Sequence, residues 1–274
     1  MTTTQQRPDV VLPTLATVYR TRGSVELKEF FRQRESVVFT LLFPVILLVV
    51  FGAVLDYDIG GGVAFTQYFM AGVIAAGILG ASLQNMAISI ATERSDGTLK
   101  SLAGTPMPKS AYFVGKIVQV LVVTLLIIAI LLAVGVFAYG VDLPSGSDWI
   151  TFAWVTVLGS ASCTLLGIAV SSLAKNGRSA SAMVTPIALV LQFISGVFFL
   201  FSQVPVWMQT VASLFPLKWM AQGLRSVFLP DVLARQEAAG SWELGRVALV
   251  LGLWCVAGLL LCVATFRWQD KAAG

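Results

Sequence analysis

Residues 92–116 read TERSDGTLKSLAGTPMPKSAYFVGK. The stretch carries Glu93, Arg94, Asp96, Lys100, Lys109 and Lys116, and a long apolar run flanks it on each side. Intramembrane charge is costly, so the chain leaves the hydrocarbon phase here and returns to it. Everything around the stretch has the composition that this reading requires. Across 274 residues, 57% are hydrophobic and only 12% charged, with a mean hydropathy of +0.85. A soluble domain carries about 25% charged residues. A chain this poor in charge lacks the polar surface to be a water-soluble globule, which predicts an all-α integral membrane protein.

Outward from the stretch, the apolar runs resolve into six transmembrane helices, predicted at residues 37–55, 67–91, 112–139, 149–173, 182–201 and 247–266. The first has nineteen uncharged residues, which at ~1.5 Å per residue span roughly one hydrocarbon core. Pro44 is placed to kink it. The second is longer than one crossing needs. In it Gly72, Ala76 and Gly80 recur every four residues, a stripe that admits close approach of another helix. Residues 1–36 form an N-terminal segment with no cleavable leader. Its Leu27, Phe30, Phe31 and Arg34 share one helical face, whereas Glu26, Lys28, Glu29 and Arg32 share the other, the pattern of an amphipathic interfacial helix. Between spans five and six, residues 202–246 are too apolar for a plain loop and too broken by Pro216 for a span. They read as short outer re-entrant or interfacial helices. Residues 267–274 form a tail, anchored by Arg267, Trp268 and Lys271.

Orientation follows from charge. Of the 18 Lys and Arg residues, all but Lys218, Arg225, Arg235 and Arg246 fall on the side of the N-terminus. The positive-inside rule places both termini, and residues 92–116, in the cytoplasm of a multi-pass cell-membrane protein.

Within residues 92–116, Asp96 and Lys100 stand at i,i+4, Gly97 permits a bend, Pro106 and Pro108 stop a continuous helix, and Ser110 is placed to cap the next one. Two readings stay open on these grounds. One is a short surface helix fixed to spans two and three; the other is a solvated loop with ordinary cytoplasmic charges. Elsewhere, Gln84, Asn85 and Gln192 lie within spans, either bonding between helices or lining a substrate pathway. Phe193, Phe198 and Phe199 are either lipid-facing or part of an apolar gate. Lys218 and Arg225 meet either lipid headgroups or an anionic substrate at the outer interface. The chain has no His, and its three Cys lie in apolar runs without metal-ligand spacing. Catalysis and metal binding are not expected. No GxxxxGK[ST] phosphate loop occurs either, and no nucleic-acid partner is expected.

The run Glu93-Arg94-Ser95-Asp96-Gly97-Thr98-Leu99-Lys100, then Thr105-Pro106 and Lys116, resembles the signature of the type-2 ATP-binding-cassette exporter permeases. That family includes drug, polysaccharide and teichoic-acid exporters, and the likeness extends over the whole chain. It departs at Asp96, where the family often has Glu or Arg. The resemblance implies a permease subunit that pairs with a second copy or a paralogue. Two separate ATPase subunits would bind ATP and magnesium, leaving none in this chain. It also implies that Glu93, Arg94, Asp96, Gly97, Thr98, Leu99, Lys100 and Pro106 couple the permease to the ATPase through a cytoplasmic helix between spans two and three. The substrate expected is an amphiphile: a drug-like molecule, a lipid or a lipid-linked glycan. An ion-coupled secondary transporter and a non-transporting membrane anchor are the alternatives. The first is disfavoured because no ionisable residue lies at the centre of a span.

Overall fold

The computed structural model describes residues 14–55 and 57–266. The first thirteen residues, Asp56 and the basic tail with Arg267, Trp268 and Lys271 lie outside them. Six of its helices are long and apolar enough to cross a membrane: α2 (Arg34–Val54), α3 (Phe65–Ser95), α5 (Lys109–Tyr139), α6 (Asp148–Ser171), α7 (Gly177–Ile194) and α10 (Leu244–Thr265). Ahead of them lies α1 (Leu15–Arg32), and between them lie α4 (Thr98–Ala103), α8 (Val206–Ala212) and α9 (Pro216–Phe228).

The burial pattern is that of a protein solvated by lipid. Phe39, Phe43, Ile46 and Val50 of α2 and Leu253, Val256, Leu260 and Val263 of α10 are exposed, whereas water would penalise such apolar faces. The axis of the bundle is α3, whose Tyr68, Phe69, Met70, Ile74 and Ile78 are fully buried. It packs against α2, α5, α6 and α9. Its course is not a plain α-helix. Residues Gly80–Gln84 form a π turn, in which one additional residue enters the ladder.

The helices start where local chemistry lets them. Thr14 caps α1 by accepting from the Thr17 amide at 3.4 Å. Asn176 and Ser179 form a reciprocal capping box at the head of α7. That box starts α7 at Gly177, five residues before the expected start of span five, and Ser195 and Gly196 end it at Ile194, before the expected Phe201. The polar Asn176–Ser181 run resembles a connector but is a helix start.

Three local expectations are corrected. Ser110 does not cap α5: Pro108 holds that position, and the Ser110 hydroxyl lies 2.8 Å from the Tyr19 hydroxyl of α1. Among the described residues, no helix packs into the Gly72–Ala76–Gly80 stripe. At Gly72 it takes the backbone of Val197, where a Cβ would stand 2.9 Å from the carbonyl oxygen; Ala76 and Gly80 border a cavity. Finally, Glu26 is not on the outer face of α1. It is 1% exposed, while Leu15 is 63% exposed.

Candidate functional site: the charged foot and the cavity beside it

Glu26 is buried where α1 and α5 each bring a cation to it. The Lys116 ammonium of α5 lies 2.8 Å from its Oε2, and Arg22, one turn earlier in α1, pairs with its Oε1. Lys116 also pairs with Glu93 of α3 and donates to the Ser89 hydroxyl at 2.7 Å. Ser89 in turn donates to Glu93 Oε1 at 3.1 Å, and Tyr112 donates to Glu93 Oε2 at 2.7 Å. The Arg22 guanidinium lies 5.4 Å from the centre of the Tyr112 ring. Burial pushes the Glu26 carboxyl above the usual carboxylate range, and the Lys116 charge pulls it partly back. The result is a closed ionic knot joining α1, α3 and α5.

Next along α3, Arg94 donates to the carbonyls of Ser171 at 2.5 Å and Ala174 at 2.6 Å. These carbonyls belong to the end of α6 and the turn after it, where a helix leaves acceptors unpaired. Thus Glu93 and Arg94, adjacent in sequence, fasten α3 to opposite neighbours.

The chain then turns at Gly97, whose φ of 84° lies in the left-handed region. Asp96 accepts from the Thr98 amide at 3.0 Å, which starts α4. The Asp96 carboxylate therefore braces the turn ahead of Gly97, which holds the N-cap position, and the expected Asp96–Lys100 pair is absent among the described ion pairs. α4 buries one side chain, Leu99, which joins Ile90, Tyr112, Ile168 and Cys262 in a small apolar cluster. Asp96, Lys100, Ser101, Thr105 and Pro106 are exposed. The eight residues expected to form one coupling surface therefore divide. Glu93 and Leu99 face inward, Arg94 is half-buried, Gly97 and Thr98 shape the turn, and Asp96, Lys100 and Pro106 face outward.

Above the knot, α1, α2, α3, α5 and α7 enclose a cavity of about 520 Å³. Three sequence-predicted pathway residues, Gln84, Asn85 and Gln192, all line it. Gln119 of α5 and Glu29 of α1 line it as well, and sequence reasoning missed both. Gln119 is a polar residue inside a span, the same signal that marked Gln84. Glu29 looked like one more charge on the polar face of α1. A second hollow of about 550 Å³, almost wholly apolar, is lined by Phe193 and Phe199. Leu189 borders both spaces. Phe198 does not line the hollow: it is buried beside Phe51 and Phe69 and backs Phe193, with the two ring centres 4.7 Å apart.

Lys218 and Arg225 do not reach a headgroup region from the surface of the chain. Arg225 is fully buried, with its Nε 2.5 Å from Glu237 and its guanidinium 4.9 Å from the centre of the Tyr68 ring. Lys218 is 3% exposed, sits 3.6 Å from the centre of the Trp219 ring and donates to Gln222. Both hold α9 in place instead of displaying charge.

These features define a polytopic membrane protein with a charged foot and a lateral polar-apolar cavity. The chain belongs to the ABC-2 type transporter family, whose model matches residues 19–229. It is similar to the Probable multidrug ABC transporter permease YbhR of Escherichia coli K12, with 28% identity over 144 residues. That match covers 53% of this chain and 39% of YbhR, so the likeness spans well under half of that relative. It is also similar to the Inner membrane transport permease YadH of the same organism, with 26% identity over 216 residues, 75% of this chain and 82% of YadH.

Proposed function

We propose that this chain is the permease subunit of an ATP-driven exporter in the inner or plasma membrane. It works as a homodimer or with a paralogous permease, and two separate ATPase subunits bind and hydrolyse ATP with magnesium. The foot, with both termini, faces the cytoplasm. The observation that carries the reading is α4, a six-residue helix with an outward polar face and a single buried anchor, Leu99, hung between the two longest spans. A push on Asp96, Lys100, Thr105 and Pro106 is passed to α3 and α5 through the knot of Glu26, Lys116 and Glu93, and to α6 through Arg94. The cavity beside α3 then receives an amphiphile through Gln84, Asn85 and Gln192, and the apolar hollow lined by Phe193 and Phe199 forms its outward continuation past Leu189.

The test is co-expression of the tagged full chain with candidate ATPase subunits, followed by co-purification and ATPase assay in proteoliposomes. Association is expected, with Lys100→Glu and Gly97→Ala lowering transport while leaving the amount of protein in the membrane unchanged. Failure to associate with any ATPase subunit would remove the reading.

A further inference from the structure

We infer that the cavity selects amphiphiles that carry a protonated amine. This rests on the permease reading above and adds the charge of the substrate. The cavity wall contains two carboxylates, Glu26 and Glu29, and no Lys or Arg. The carboxylates of Glu26, Glu29 and Glu93 lie within 4.8 Å of one another. Two cations, Arg22 and Lys116, are paired among them. Three negative charges against two positive ones leave one in excess. Glu26 and Glu93 are the buried, paired members; Glu29 is exposed and stands at the cavity wall. The uncompensated charge is therefore the accessible one.

A second observation is independent of the carboxylates. Gln119 lines the same cavity, is 4% exposed, and its Oε1 has no hydrogen-bond partner. A buried acceptor without a donor keeps its desolvation penalty, and a ligand N–H supplies that donor. Asn85 Nδ2, also on the wall and also unpartnered, offers a donor to an oxygen on the same molecule. Around these groups the wall is apolar, with Phe39, Phe43, Leu47, Val73 and Leu189. An apolar body, an ammonium head and an oxygen acceptor together match the cavity. An anionic head meets the excess carboxylate and finds no basic residue in the wall.

The experiment uses the purified full chain in phosphatidylcholine nanodiscs, with empty nanodiscs as the partition control. The probes share one dansyl body and differ at the end of the alkyl chain: dansylcadaverine (ammonium), its N-acetyl derivative (neutral) and dansyl-aminohexanoate (carboxylate). The ammonium probe is expected to bind about threefold to fivefold tighter than the neutral one at low salt, with the carboxylate weakest. Glu29→Gln is expected to bring the ammonium probe down to the neutral level, and Glu29→Lys to reverse the ranking. Equal binding of ammonium and neutral probes, or an unchanged ranking in Glu29→Lys, overturns the inference. A cavity closed by a second copy of the chain would exclude all three probes, and that result overturns it too. The assay contains no ATPase subunit. An ammonium preference without ATPase association would therefore keep this inference and remove the export reading, and association without the preference would do the reverse.

Discussion

Replacing Lys116 by methionine removes the ammonium shared by two buried carboxylates; Glu26 keeps Arg22, and Glu93 is left with only the neutral partners Ser89 and Tyr112. Breaking a buried pair by deleting one partner costs about 3–5 kcal/mol, because the remaining charge keeps its desolvation penalty. We expect Lys116→Met to lower the thermal midpoint in detergent sharply, and adding Glu93→Gln to recover part of the loss. An additive double mutant would mean that the two side chains act independently. None of this knot was legible beforehand. Glu26 looked like a solvated charge because its own neighbours in α1 are polar, and its counter-ion lies far along the chain in α5. Lys218 and Arg225 misled in the same way: single charges read as surface until tertiary partners such as Glu237 are known. By contrast Gln84, Asn85 and Gln192 were legible, since an uncharged polar group within an apolar run has few places to go besides the inside of the bundle.

At the scale of the element, α4 should detach more easily than it unfolds. Its single buried side chain is Leu99, so Leu99→Ala removes a large share of its packing, about 2–4 kcal/mol by analogy with core truncations. The expected outcome is a full-length, membrane-inserted protein whose residues 97–105 become sensitive to limited proteolysis, while the midpoint of global unfolding changes less. A second prediction concerns α9. Burial holds the Lys218 ammonium down to about 8, below its ordinary 10.5. A folded-state pKa below the unfolded one means that the fold favours the neutral amine. The stabilisation is complete above the unfolded pKa and is lost as pH falls through about 8. Unfolding in detergent should therefore show stability rising by about 1–2 kcal/mol between pH 7 and pH 9.5, and Lys218→Met should flatten that slope. The six long helices were plain from hydropathy, because length and apolarity are properties of the run itself. Their ends were less plain: the Asn176–Ser179 box, with an Arg inside it, imitates a loop, and only the backbone bonds reveal a helix start.

For the whole molecule, the testable quantity is which end faces which compartment. The foot groups α1, α4 and the turn after α6, and the opposite end is closed by α8 and α9. With Cys163, Cys255 and Cys262 replaced, a single cysteine at Lys100 is expected to react with a membrane-impermeant maleimide only after the cells are opened. One at Trp207 in α8, which is 65% exposed, is expected to react from outside. The reverse pattern would invert the topology and with it the side proposed for ATPase docking. At 31 residues, α5 is about 46 Å long at 1.5 Å per residue, against a hydrocarbon core of about 30 Å. Its first turns therefore have room to stand clear of the bilayer, which is where an ionic knot is affordable in the first place.

The π turn at Gly80–Gln84 sets the phase between the two halves of α3. The half before it fits its side chains to the core, and the half after it must present Glu93 to Lys116 and Arg94 to α6. An α-helix advances about 100° per residue, so the inserted residue acts as an angular offset between two meshed parts. Deleting Ala81 should swing the lower half by about one such step, taking Glu93 off Lys116 and Arg94 off the α6 carbonyls together. Adding one residue after Ile88 should restore the alignment of the foot. Loss of folded protein in the deletion, with recovery in the compensated double variant, is the expected signature of a helix whose timing, as much as its packing, fits the bundle.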